Sequence, residues 1–240
     1  MPIRGIDVSS IQGKIDWPKV AASGVRFVMR KCGNGNNAPD PGFADDVAGA
    51  RAAGLAVGAY HVGFPLPSAP EHPGRDAADQ AKAHFAACKG LGSQAGELPP
   101  ALDLEWPVPG TPEWAKYGCT PDQVRAWAIA YLEAAETLWG RLPIVYDGFP
   151  IYWQQIGGAS EPRFGRYPLW VVNYPEQYKG AIPPDGASPP IPGPWSAWTL
   201  WQHSGGGQRL PSGAAVDGNV FCGDEEAFAG LLAVGPLNQA

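Results

Sequence analysis

Short apolar runs alternate with amphipathic stretches along most of the chain. Residues 24–30 (GVRFVMR), 55–61 (LAVGAYH), 100–105 (PALDLE), 143–146 (PIVY), 169–174 (LWVVNY) and 198–202 (WTLWQ) are short, apolar and rich in β-branched or aromatic side chains, as strands are. Residues 3–8 and 216–221 extend the series at its two ends, giving about eight strands. Helical patterns fall between them at 43–53, stopped by Gly54, at 76–88, and at 121–139, where Thr120 is the expected N-cap and Pro121 the first helical residue. Strands that alternate with helices require crossover connections and a parallel sheet. Eight of them fit a closed α/β barrel better than an open sheet. The helical patterns thin out after residue 160, so the last third is expected to be strand and loop.

Gly and Pro, at 32 and 27 of 240 residues, approach the level of low-complexity chains. The 45% hydrophobic content and the 10 Trp, 8 Tyr and 8 Phe place them instead in the loops of a folded body. Strand patterns resume after the long Pro/Gly stretches at 62–75, 106–119 and 175–197, so these are insertions within one barrel domain, 1–228, followed by a tail, 229–240, that reads as a short helix end or a frayed terminus. The net charge of −6 and the lack of any basic run argue against nucleic acid and against a polybasic membrane anchor. No apolar stretch approaches the ~20 residues that span a bilayer, so no membrane insertion is expected. The opening residues lack the charged and apolar regions of a secretory signal, which implies synthesis in the cytoplasm. Cys32, Cys88, Cys119 and Cys222 form no CxxC pair, so buried free thiols are expected rather than a zinc site, and no metal or other cofactor is called for.

The acidic residues fall at informative places. Asp103 and Glu105 are two apart on one strand, so their side chains share a face, near the strand's C-terminal end. That end carries the active site in α/β barrels. Asp7 lies on the first strand and Asp217 on the last, which become neighbours when a barrel closes. Four carboxyls from three strands therefore converge on one mouth. Crowded carboxyls push their pKa values apart, leaving one protonated as an acid and another ionised, the equipment of glycoside hydrolysis. The bland alternative for any one of them is a helix cap or a salt bridge. For two acids on one face of an otherwise apolar strand, that alternative weakens, because burying them is costly. A metal held by the same acids is the rival reading, with only His61 near by.

The ordered set of motifs resembles glycoside hydrolase family 25, the Chalaropsis-type lysozymes. It begins with Gly5-Ile6-Asp7-Val8-Ser9, Gln12-Gly13 and Ile15-Asp16-Trp17, then Phe27-Val28-Met29-Arg30-Lys31, Asp40-Pro41-Gly42-Phe43 and Gly58-Ala59-Tyr60-His61. Leu102-Asp103-Leu104-Glu105 is similar to the family's DxE strand, and Pro143 to Tyr146, Leu169 to Tyr174, Trp198 to Gln202 and Val216 to Phe221 follow in order. The resemblance implies an irregular TIM-like barrel of five βα units followed by three strands with few helices. It implies N-acetylmuramidase activity: hydrolysis of the β-1,4 bond between N-acetylmuramic acid and N-acetylglucosamine in bacterial peptidoglycan. Glu105 becomes the proton donor, Asp103 its partner carboxylate, and Asp7 and Asp217 the other acids of the pocket. The nucleophile stays open between Asp103 and the substrate's own N-acetyl group. Asn34 stands where the family usually has an acidic residue.

Tyr60, Trp106, Tyr146 and Tyr174, in or at the ends of strands, are candidate sugar platforms, since aromatic faces pack on sugar rings at small entropic cost. Asn173 and Gln202 are candidates to hydrogen-bond acetamido or hydroxyl groups. Core packing is the competing role for Trp170 and Trp201, and a structural role for His61. The expected partner is a peptidoglycan glycan strand and the expected state a monomer, since one concave mouth on a polymer needs no second copy. Without a leader, release to the cell wall by a phage-type lysis partner or export by another route is implied. Two other readings remain: a glycan-binding barrel that no longer cleaves, and a glycosidase for another amino-sugar polymer such as chitin.

Overall fold

The computed structural model describes residues 1–36, 39–65, 76–105, 120–148, 150–178 and 181–233. Eight strands close into a barrel in sequence order: β1 (Ile3–Val8), β2 (Val25–Asn34), β3 (Ala56–Val62), β4 (Ala101–Asp103), β5 (Ile144–Tyr146), β6 (Leu169–Val172), β7 (Leu200–Arg209) and β8 (Ala215–Phe221). Neighbours from β1 through β7 pair in parallel, and β8 closes the ring antiparallel to both β7 and β1. The α/β barrel read from the sequence is thus the fold of the chain.

Among the described residues the helices are α1 (Trp17–Ala22), α2 (Phe43–Ala52), α3 (Ala77–Ala87), α4 (Pro121–Trp139), α5 (Pro150–Gln155) and α6 (Glu225–Ala233). Helix α4 carries every local signal of its ends. Thr120 and Gln123 exchange side-chain and backbone bonds in a capping box, Pro121 opens the first turn, and Gly140 ends the helix at a φ of 66°. Val124, Ala128, Tyr131, Leu132, Ala135 and Trp139 form its buried stripe.

Several expectations need correction. Strands β2 and β7 run to Asn34 and Arg209, well past the residues at which their apolar patterns end. The extra length of β7 pairs with the start of β8 as a ribbon that continues beyond the end of β1. Helices α1 and α5 have six residues each and bury two, too few to show a period. The last third is not strand and loop alone: it holds short 3-10 turns and α6. Helix α6 begins before Phe228 and continues into the short helix end expected after it; Phe228 packs against Phe27 and Phe221, at 5.9 and 5.1 Å between ring centroids, and so plugs the end of the barrel opposite the acids.

Strand alternation splits the core in two. Phe27, Met29, Ala101, Ile144, Trp170, Leu200 and Phe221 point into the barrel. Ile6, Val28, Val57, Leu102, Val145, Val171 and Trp201 point outward beneath the helices. The interior is full: a Cβ at Gly5 would lie 2.2 Å from the Phe27 ring, so β1 needs glycine there. Outside, Arg30 is buried between Asp40 at 2.6 Å and Asp46 at 2.8 Å, while Asp40 also accepts the Ser10 backbone N–H. This clamp binds the loops that follow β1 and β2 to each other at the rim of the mouth. Cys32 and Cys88 are buried free thiols as expected, Cys222 is exposed, and Cys119 lies outside the described residues. No described helix is long and apolar enough to cross a membrane.

Candidate active site

Parity carries the four acids to one place. Asp7 is the penultimate residue of β1, Asp103 the last of β4, and Glu105 follows two residues on. All three belong to the end where the parallel strands finish. Because β8 runs the other way, its early residue Asp217 reaches the same mouth, directly opposite Asp7 in the register. Asp103 is paired in register with Val62 on one side and Tyr146 on the other.

A hydrogen-bonded network orients Asp7. Its Oδ2 accepts from Gln202 Nε2 at 2.9 Å and from Asn219 Nδ2 at 2.6 Å. Each amide is turned by what its own oxygen accepts. Tyr146, at 3.0 Å, and Tyr174 both donate hydroxyls to Gln202 Oε1, and Trp170 Nε1 donates to Asn219 Oδ1 at 2.7 Å. Asp217 Oδ1 accepts the backbone N–H of Gly206, in the glycine-rich stretch of β7. Asp103 differs from both. It is 5% exposed, and its Oδ1 is buried with no hydrogen-bond partner among the described residues.

Electrostatics follow from this crowding. Burial and the Asp217 carboxyl push Asp7 up from 3.8 to about 7, against the two amide donors that favour its ionised form. Burial and Glu105 raise Asp103 well above the carboxylate range. Burial and Asp217 raise Glu105, and burial raises Asp217. Lys31 opposes the shift at both Asp103 and Glu105. The mouth therefore holds carboxyls that keep protons at higher pH than free acids do, with the Lys31 ammonium acting against them. Acids and bases poised in this way are the means of general acid catalysis.

The sequence model of glycosyl hydrolases family 25 matches residues 6–210. The chain belongs to this family. It is 32% identical over 235 residues to the uncharacterized protein YegX of Escherichia coli O157:H7, spanning 96% of this chain and 73% of that one. It is 29% identical over 233 residues to lysozyme M1 of Streptomyces globisporus, spanning 97% and 71%. The crystal structure of the bacterial lysozyme from Streptomyces coelicolor superposes with a TM-score of 0.79 at 27% identity, over 100% of this chain and 99% of that one. The protein is accordingly a glycoside hydrolase of the lysozyme and muramidase kind.

Within this family 25 barrel, the sequence-derived candidates take different positions. Tyr60 borders the cluster, in edge contact with Trp170 at 6.0 Å, and its phenol is raised by burial and by all four acids. Tyr146 is buried, with its ring 4.9 Å from Trp170, and forms the floor rather than an open platform. Tyr174 is 38% exposed and is the most open of the three described candidate tyrosines. Gln202 is committed to Asp7 and the two tyrosines. Asn173 lies apart from the acids. It lines a cavity of about 260 Å³ with Asp147, Trp153 and Val171 on the outer side of β6. Trp106, and most of the loops 62–75 and 106–119, lie outside the described residues. His61 points outward and stacks on His84 at 5.0 Å, a structural place, where burial lowers it to about 4.

Two polar residues of the site escaped the sequence reading. Lys31 follows Phe27 and Met29 at inward parity, and Asn219 stands two after Asp217. The i, i+2 rule that singled out Asp103 and Glu105 applies equally to both. Gly148 is a third, of another kind. At a φ of 61°, it lies where a Cβ would be 2.8 Å from the Leu104 carbonyl oxygen and 3.2 Å from Glu105 Cβ, so the turn after β5 packs directly on the backbone that holds Glu105.

Proposed function

We propose that the protein is an N-acetylmuramidase that hydrolyses the β-1,4 bond between N-acetylmuramic acid and N-acetylglucosamine in peptidoglycan, with Glu105 as general acid and Asp103 as its partner carboxylate. The observation that carries the reading is the convergence of Asp7, Asp103, Glu105 and Asp217 on one barrel mouth, with all four carboxyls raised by burial and the first three also by a neighbouring carboxyl. Glu105 is less enclosed than Asp103, which supports its choice as the acid that meets a glycosidic oxygen. It gives its proton to the leaving sugar oxygen as the bond breaks. Positive charge then develops at the anomeric carbon, and the ionised fraction of the remaining acids stabilises it. Glu105, now a carboxylate, takes a proton from the attacking water and is restored. In this reading the ionised form of Asp103, whose buried Oδ1 has no partner among the described residues, either attacks the anomeric carbon or holds the substrate's acetamido group for that attack.

Relatives that are a lysozyme and a muramidase by name support the choice of substrate. Digestion of purified peptidoglycan, borohydride reduction and mass spectrometry of the product ends test it. Reduced N-acetylmuramic acid is expected. Reduced N-acetylglucosamine overturns the bond assignment, and cleavage of chitin alone overturns the substrate.

A further inference from the structure

A second cluster of chemically active side chains lies outside the barrel wall, away from the acids. Cys32 points outward from β2, and His84 and Cys88, four residues apart at the C-terminal end of α3, share one helix face. The two sulfurs and a ring nitrogen of His84 all lie within 4.8 Å of one another. All three residues are buried. His84 Nδ1 is 2.7 Å from the Tyr131 hydroxyl, while Nε2 is buried with no hydrogen-bond partner among the described residues. An orphaned polar atom in a packed core calls for a physical explanation. A histidine that gives Nδ1–H to a neighbouring oxygen presents Nε2 as a free lone pair, the arrangement that metal-binding histidines use. The stacked rings of His61 on β3 and Tyr131 on α4 hold this imidazole in place.

We propose that Cys32, His84 and Cys88 form a structural site for one Zn²⁺ ion that joins β2 to α3. Two thiolates and an imidazole are the ligand types that suit this cation rather than Mg²⁺ or Ca²⁺. Binding replaces both thiol protons, which leave to solvent, so the filled site carries no net charge. That neutrality suits a site enclosed by apolar side chains. A cavity of about 650 Å³ between α2 and the end of α3 is lined by Cys88, Phe43 and Leu91; it reaches the site at Cys88, the side from which the ion and a water as fourth ligand would enter. The sequence hides the site because its ligands combine a strand cysteine with an HxxxC pair more than fifty residues later, not a CxxC motif.

The test uses the full chain, reduced and stripped of metal, and titrated with Zn²⁺ and separately with Co²⁺. Native mass spectrometry is expected to show one metal per chain, with two protons lost. Co²⁺ is expected to give a thiolate-to-cobalt charge-transfer band, and Zn²⁺ to raise Tm by about 2–4 °C or more at saturating metal. Cys88→Ser is expected to lose the band and the Tm rise while keeping glycoside hydrolysis. The cobalt band of the unsubstituted chain reports cysteine ligation even if that variant fails to fold. The proposal is overturned if the reduced chain takes up no metal, if Cys88→Ser binds it equally well, or if Cys32 and Cys88 are found joined as a disulfide in the protein as isolated.

Discussion

Asp7 and Asp217 stand directly opposite each other across the antiparallel seam that closes the barrel. Like charges so paired destabilise a sheet, and burial adds to the cost. The fold answers with two amide donors on Asp7 and a backbone N–H on Asp217. It does not cancel the effect, since Asp7 remains raised to about 7.

The sign of the pH dependence follows. A carboxyl raised in the folded state binds more protons there than in the unfolded chain between its ordinary value of 3.8 and about 7. Its contribution to stability is therefore full below about 4 and is lost as pH rises through 7. Asp7→Asn, whose amide oxygen still accepts from Gln202 and Asn219, is expected to stabilise the protein at pH 7 by roughly 1–3 kcal/mol and to flatten its stability between pH 4 and 7. Urea unfolding at pH 4.5 and 7 measures this, and a variant less stable at pH 7 contradicts the role given to Asp7. Activity is expected to fall in the same variant.

Lys31 carries a second pH prediction. Its charge lowers Asp103 and Glu105 against the pull of burial. Lys31→Met removes that opposition, so the acid keeps its proton to higher pH. The basic limb of the pH profile for wall hydrolysis is expected to move upward. An unmoved or lowered limb removes Lys31 from the electrostatics of the site.

Gly148 gives a geometric test. Alanine there must adopt a positive φ and place its Cβ 2.8 Å from the Leu104 carbonyl oxygen. Gly148→Ala is expected to cost about 1–3 kcal/mol in stability. Because the displaced backbone carries Glu105, hydrolysis of the folded variant is expected to fall further, by about tenfold or more. Circular dichroism and turnover on the same preparation separate the two effects.

What was legible in the sequence follows the range of the interactions. The strands, α4 with its capping box, and the shared face of Asp103 and Glu105 are local, and the residues display them. The bonds from Gln202 and Asn219 to Asp7 join positions about 200 residues apart and exist only once the barrel closes. The extensions of β2 and β7 are similar: their final residues, polar or glycine, become strand by pairing with a neighbour and not by their own preference. Asn173 follows the apolar run of β6 in sequence yet lines the cavity behind it, because its side chain takes the outward parity of Val171. Nothing in the spacing of Cys32, His84 and Cys88 brings them together before β2 and α3 pack.

Glu105→Gln tests the central assignment most directly. Glutamine keeps the size and polarity of the side chain and removes only the transferable proton. The variant is expected to match the parent in unfolding midpoint and in binding to peptidoglycan, and to lose hydrolysis by at least about 10²–10⁴-fold. A folded Glu105→Gln protein that cleaves peptidoglycan at the parent rate contradicts the assignment of the acid, and with it the mechanism built on this mouth.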